Sequence, residues 1–130
     1  MTLSKEERQQ LIEHYVEKAQ NTVEDIKFFI ENEKLGVAVN RVYYGIYYVL
    51  SALAVKYQFS TSKHTQLLGW FNKNFVKENK IERKYAKYIQ EAFEKRMKGD
   101  YEVFVKFTKA DVNDLFEKMK EIISEIKQLL

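Results

Sequence analysis

Asn40-Arg41-Val42-Tyr43-Tyr44-Gly45-Ile46-Tyr47-Tyr48 sets four tyrosines and an arginine inside an otherwise apolar run of helical length. At 100° per residue the run splits into two stripes. Val39, Tyr43, Ile46, Leu50 and Leu53 form one, which reads as a core face. Arg41, Tyr44, Tyr48 and Ser51 form the other, spaced three, four and three apart. Buried phenols need hydrogen-bond partners, and a buried arginine needs a counter-charge or acceptor. The second stripe therefore reads as the wall of a polar, aromatic cleft.

Outward from this segment the chain reads as helix throughout. It has no proline and only four glycines in 130 residues, which favours long uninterrupted helices. Ser4-Lys5-Glu6-Glu7 has the form of a capping box and opens a first helix that fades near Asn32. Leu35-Gly36 marks a turn, and the tyrosine-rich second helix runs to about Tyr57. Ser60-Thr61-Ser62 offers N-caps for a third helix carrying Leu67, Leu68, Phe71 and Phe75. After a polar break at Lys77-Glu78-Asn79-Lys80, a fourth helix aligns Ile81, Tyr85, Tyr88, Ile89, Ala92, Phe93 and Arg96. Lys98-Gly99-Asp100 should end it, with Gly99 in a left-handed conformation. Tyr101 to Phe107 alternates apolar and charged residues, as an extended connection would. Thr108-Lys109-Ala110-Asp111 is a second capping box, opening a last helix with the cleanest amphipathic pattern, from Val112 to Leu130. The expected fold is all-α: one domain over residues 1–130, an antiparallel up-and-down bundle of about five helices. The wide apolar stripes of the first and last helices either cover the middle helices or carry surplus surface for a dimer.

Composition narrows the function classes. With 32% charged and 45% hydrophobic residues the chain is globular and not disordered. Cysteine is absent, so no disulfide or thiolate metal site exists, and the two histidines, His14 and His64, lie far apart. No metal and no cofactor is expected. The longest apolar run is too short to span a bilayer and is broken by tyrosines, and the charged N-terminus lacks a signal-peptide core. The expectation is a cytoplasmic protein with no membrane association.

Charge is segregated along the chain. Residues 1–35 carry five Lys/Arg against eight Asp/Glu, residues 36–98 carry twelve against four, and residues 99–130 carry five against seven. The basic middle segment is also the one that holds the tyrosines. Such asymmetry suits a phosphate-bearing partner, although Lys73, Lys77, Lys80, Lys84 and Lys87 also read as a solvated helix face.

Three groups stand out against this background. Arg41, Tyr44 and Tyr48 are the first. Ser62-Lys63-His64 is the second, at a helix start where free N–H groups and the dipole favour an anion. The third is Arg96-Met97-Lys98-Gly99-Asp100-Tyr101, in which Arg96 continues an apolar stripe and so points into the bundle or an interface. Asp100, one turn on, is its nearest carboxylate, and a purely structural pair closing the helix is the plainer reading.

Taken in order, these groups resemble the HEPN family of helical bundles, and most closely its small stand-alone prokaryotic branch. The second-helix pattern of that branch, Ser-Arg-Ala-Tyr-Tyr-Ala-Met-Phe-His, aligns with Asn40 to Tyr48. Its Lys-Thr-His or Lys-His element aligns with Ser62-Lys63-His64, and its Arg followed by Asp-Tyr aligns with Arg96 to Tyr101. The resemblance spans roughly residues 10–128. It implies a homodimeric bundle with a cleft at the interface, a site of Arg41, Tyr44, Tyr48, Lys63, His64, Arg96, Asp100 and Tyr101, and nucleotide or RNA as ligand. It also implies a minimal nucleotidyltransferase as partner in a toxin–antitoxin pair.

Active toxins of the family are metal-independent ribonucleases that use an Arg followed four to six residues later by His. Histidine supplies a proton acceptor with pKa near neutrality, and arginine supplies charge for the phosphorane. Here those positions after Arg96 are Asp100, Tyr101 and Glu102, and Tyr48 stands where relatives end the second-helix pattern with His. The expectation is a ligand-binding module with a degenerate ribonuclease motif. The alternative is an active ribonuclease toxin in which Arg96 acts with a base that is His64, Asp100 or a group supplied by a partner.

Overall fold

A computed structural model describes residues 2–102 and 104–130. Five α-helices follow one another: α1 (Lys5–Glu31), α2 (Leu35–Lys56), α3 (His64–Phe71), α4 (Arg83–Tyr101) and α5 (Lys109–Lys127), with a π-helical turn at Asn72–Val76. They form an antiparallel up-and-down bundle, and no strand occurs among the described residues. Helix α2 is central, packed against α1, α4 and α5. Its core stripe is as expected: Val39, Tyr43, Ile46, Leu50 and Leu53 are all buried, joined by Ala38, Val42 and Val49. On the other side α1 contributes Ala19, Val23, Ile26 and Ile30, and α5 contributes Leu115, Met119, Ile122 and Ile126.

Gly45 sets the closest approach in this core. A Cβ built there would collide with the Met119 methyl and lie 3.4 Å from Thr22 Cγ2. Glycine thus lets α5 and α1 press against α2 at its midpoint, between the two tyrosine pairs.

Helix ends follow local chemistry with some departures from expectation. The Ser4 capping box is complete, its hydroxyl accepting from Glu7 N at 3.1 Å while the Glu7 carboxylate accepts from Ser4 N at 2.9 Å. The first turn lies not at Leu35-Gly36 but two residues earlier, at Glu33, whose φ of 56° makes the reversal. Leu35 is already helical, so Gly36 is spared the conformation that glycine usually serves. The third helix is capped by Lys63 without a side-chain bond. Thr61 instead accepts from Lys63 N at 3.1 Å, holding the loop that enters the helix.

That helix also does not stay α-helical to Phe75. It widens after Phe71 into the π turn, with Lys77 N donating to Asn72 O, and so turns Phe75 and Val76 into the core. Helix α4 passes through Gly99 without a left-handed residue and continues to Tyr101, which keeps Asp100 one regular turn beyond Arg96. The alternating Tyr101–Phe107 segment forms no strand among its described residues, and Val103 lies outside them. At Thr108 only half of the expected box is present: its hydroxyl accepts from Asp111 N, with no reciprocal bond. No helix of the described residues is long and apolar enough to cross a membrane.

Candidate functional site

Helical spacing on α2 aims Arg41, Tyr44, Tyr47 and Tyr48 to one side, half-buried, while Tyr43 between them points inward and is 2% exposed. The start of α3 and the end of α4 close over this face. His64, the first residue of α3, and Arg96, in the next-to-last turn of α4, arrive from positions 32 residues apart and meet on the tyrosines.

Arg96 is the centre of the cluster. Its guanidinium carbon lies 4.9 Å from the centroid of the Tyr43 ring and 5.2 Å from that of Tyr44, and Nη2 donates to the Tyr44 hydroxyl at 3.3 Å. Its Nε lies 3.2 Å from Asp100 Oδ2. That contact is an ion pair and not a hydrogen bond. The buried Nε–H is not aimed at the carboxylate and has no acceptor among the described residues. Asn40 Nδ2 donates to the same carboxylate oxygen at 3.5 Å, tying the end of α4 to α2. Arg41 forms a second cationic point beside the first. Its guanidinium sits 5.3 Å from the Tyr44 centroid and donates to the Tyr48 hydroxyl at 3.5 Å. Lys18 of α1 adds a third charge, 4.5 Å from the Tyr48 centroid. Cations over aromatic faces are held in place while keeping donors free.

His64 is enclosed by rings. Its Nδ1 is 2.8 Å from the Tyr43 hydroxyl, and its imidazole lies against Tyr47, centroids 4.2 Å apart and tilted by 34°, with Tyr44 edge-on at 6.1 Å. Burial, aided by the Arg96 charge, pushes the His64 pKa down, so the ring is neutral at pH 7. Burial likewise pushes the Tyr43 phenol up to about 12 against the opposing pull of Arg96, so Tyr43 keeps its proton.

The expected residues thus divide. Arg41, Tyr44, Tyr48, His64, Arg96 and Asp100 converge. Lys63 stands at the rim, exposed, and Tyr101 is 71% exposed and makes no described contact with the cluster. Sequence reasoning assigned Tyr43 to the core and passed over Tyr47, although both hold His64. The signal for Tyr43 was present: a phenol on an otherwise aliphatic stripe requires a buried partner. Tyr47 lies three residues beyond Tyr44 and so shares its side of the helix, but the cleft stripe left it out. Among the described residues no group of three or more His, Cys, Asp or Glu is placed to hold a metal.

Chemically, the cluster is a set of guanidinium donors beside a neutral imidazole, walled by phenols. It suits a phosphoryl or other oxyanion group, because forked N–H donors match such oxygens.

Comparison with known proteins agrees with the architecture. The sequence profile of the HEPN domain matches residues 12–129. A "UPF0332 protein" of Thermotoga maritima is 36% identical over 124 residues, covering 95% of this chain and 94% of the relative. Two proteins of Methanocaldococcus jannaschii are also similar. "Putative toxin MJ0142" is 29% identical over 92% of this chain and 81% of its own length. "Putative toxin MJ0605" is 28% identical over 98% and 94%.

Proposed function

The chain belongs to the HEPN domain family, and from that premise we propose that it binds a nucleotide or RNA through phosphate at the Arg96–Arg41–His64 cluster, as the toxin-like half of a toxin–antitoxin pair. In this reading the bundle acts as a homodimer and its partner is a minimal nucleotidyltransferase. The observation that carries the binding role is the convergence of the Arg96 and Arg41 guanidiniums on the Tyr44 ring, with Arg96 Nη2 on the Tyr44 hydroxyl at 3.3 Å and His64 on Tyr43 alongside. Two guanidiniums on one ring repel each other unless an anion lies beside them, and their forked N–H donors match phosphate oxygens. The names of the two archaeal relatives support the toxin-like role.

The test is binding of a short single-stranded RNA by wild type and by Arg96→Ala. A loss of about ten- to a hundredfold in affinity is expected from removal of a charge-assisted hydrogen-bonded group. Equal affinities would discard the site.

A second reading, metal-independent RNA cleavage, is favoured by one feature. His64 is neutral and shares Tyr43 with Arg96, so an imidazole base and a guanidinium stand together although no His follows Arg96 in sequence. In the tautomer whose Nδ1–H donates to the Tyr43 oxygen, Nε2 keeps its lone pair and can accept a proton; in the other, Tyr43 donates and Nε2 carries the proton. Incubation of a mixed RNA with chelator present, comparing wild type with His64→Ala and Arg96→Ala, separates the readings. Binding alone gives background cleavage in all three. Cleavage that needs both residues establishes the ribonuclease.

A further inference from the structure

Tyr47 is shared by two parts of the surface. One is His64 of the cluster just described; the other is a cleft of about 180 Å³ between α1, the C-terminal half of α2 and the loop before α3. Tyr15, Tyr47 and Phe59 supply aromatic walls, Ser51, Ser60 and Thr61 supply hydroxyls, and the remaining lining side chains are aliphatic. No charged residue lines the cleft, although 32% of the chain is charged. What it takes must therefore be neutral, flat enough to lie among rings, and polar at its edge. Ser51 donates its own proton to Tyr47 O at 2.8 Å, leaving its lone pairs as acceptors, and Thr61 is engaged by Gln66 and Lys63.

Size narrows the ligand further. An apolar cavity of about 150 Å³ holds one benzene ring, so this cleft matches a single six-membered heterocycle with its exocyclic groups. Cations on one side of the Tyr47–His64 stack and a neutral aromatic cleft on the other reproduce the division within a nucleotide, anionic phosphate joined to an uncharged base. We infer that the Tyr15–Tyr47–Phe59 cleft is a nucleobase subsite, suited first to a pyrimidine, which seats the base of a nucleotide whose phosphate lies at Arg96 and Arg41. The inference rests on the phosphate-binding role proposed above and adds to it the part of the ligand that the cations cannot recognise.

The protein carries its own reporter. Trp70, the only tryptophan, stacks on Phe59 with centroids 5.0 Å apart and planes within 9°. A base entering beside Phe59 should change the emission of Trp70. The experiment titrates wild-type protein with uridine 5′-monophosphate, ribose 5-phosphate and uridine, following Trp70 fluorescence and, independently, heat of binding. Expected is saturable change with the nucleotide and with uridine, and nucleotide affinity at least tenfold above that of ribose 5-phosphate, as base–aromatic stacking provides.

Nucleotide and ribose 5-phosphate binding equally with Trp70 silent would overturn the base subsite while leaving the phosphate site standing. Uridine perturbing Trp70 while ribose 5-phosphate fails to bind would uphold the cleft and overturn the phosphate site. No binding by any of the three overturns both. Ser51→Phe, which fills the cleft, should abolish the nucleotide's advantage over ribose 5-phosphate; an unchanged advantage in a folded variant counts against the assignment.

Discussion

Tyr43 and His64 are bound hydroxyl to imidazole at 2.8 Å, and this contact fastens the start of α3 to the middle of α2. The phenol is almost fully buried, so its hydroxyl has little water to fall back on. Tyr43→Phe should cost about 1 kcal/mol of stability, the net worth of one hydrogen bond. Urea denaturation with an unchanged slope would register the loss, and a variant as stable as wild type would mean the bond contributes nothing.

His64 also makes stability depend on pH in a defined direction. Its folded pKa is depressed below the ordinary 6.5, by burial first and by Arg96 second. Between the two values the unfolded chain binds more protons than the folded one, so protonation favours unfolding. The stabilising effect of the neutral ring is fully present above about pH 6.5 and is lost as pH falls through the lower folded value. Thermal melts from pH 7.5 to 5 should show a fall in Tm that is smaller in His64→Gln.

Gly45 faces the Met119 methyl so closely that even alanine must displace it. Met119 is fully buried, which leaves its flexible end little room to swing away. Gly45→Ala should destabilise by about 1–3 kcal/mol through overpacking, less the ~1 kcal/mol that alanine gains in helix propensity. Met119→Val alone should also destabilise. Combining the two restores volume, so the double variant should lose less than the sum of the single losses, measured as a coupling in a double-mutant cycle.

RNA binding should weaken steeply with salt if phosphates are held by Arg41, Lys63 and Arg96. Each phosphate contact on a single strand contributes about −0.7 to the slope of log K against log salt. Lys63→Ala, at the exposed rim, should flatten the slope by roughly that amount with little change in Tm. A slope identical to wild type would remove Lys63 from the interface.

The bundle was legible because helical periodicity is a local property, repeated over 27 residues in α1 and 22 in α2. Individual ends were less so. Glu33, not a glycine, adopts φ 56° at the first turn, and Gly99 stays helical within a helix that continues two residues further. Such choices are fixed by how the helices dock and not by the intrinsic preference of one residue. Within the site, charged and motif-bearing residues could be picked out because an arginine on an apolar stripe is anomalous by itself. That Tyr43 needs a buried partner could be read from its phenol, but that the partner is His64, and that Tyr47 packs on the same ring, depends on α3 arriving beside α2. The π turn at Asn72–Val76 was likewise invisible, its sequence reading as ordinary helix.

The unsatisfied Nε–H of Arg96 implies a trade-off between durability and purpose. A shape-matched apolar side chain at position 96 would lie against the Tyr43 and Tyr44 rings without carrying a buried charge whose pairing is incomplete. Buried ion pairs are often neutral or unfavourable relative to such a replacement, by up to about 4 kcal/mol. Replacing the pair together, Arg96→Met with Asp100→Leu, should therefore leave the bundle as stable as wild type or more so while lowering ligand affinity by about ten- to a hundredfold, whereas Arg96→Met alone strands the Asp100 carboxylate. The two ends of one side chain are thus set against each other: a carboxylate and two rings hold the guanidinium, and the fold gives up some stability to keep it there.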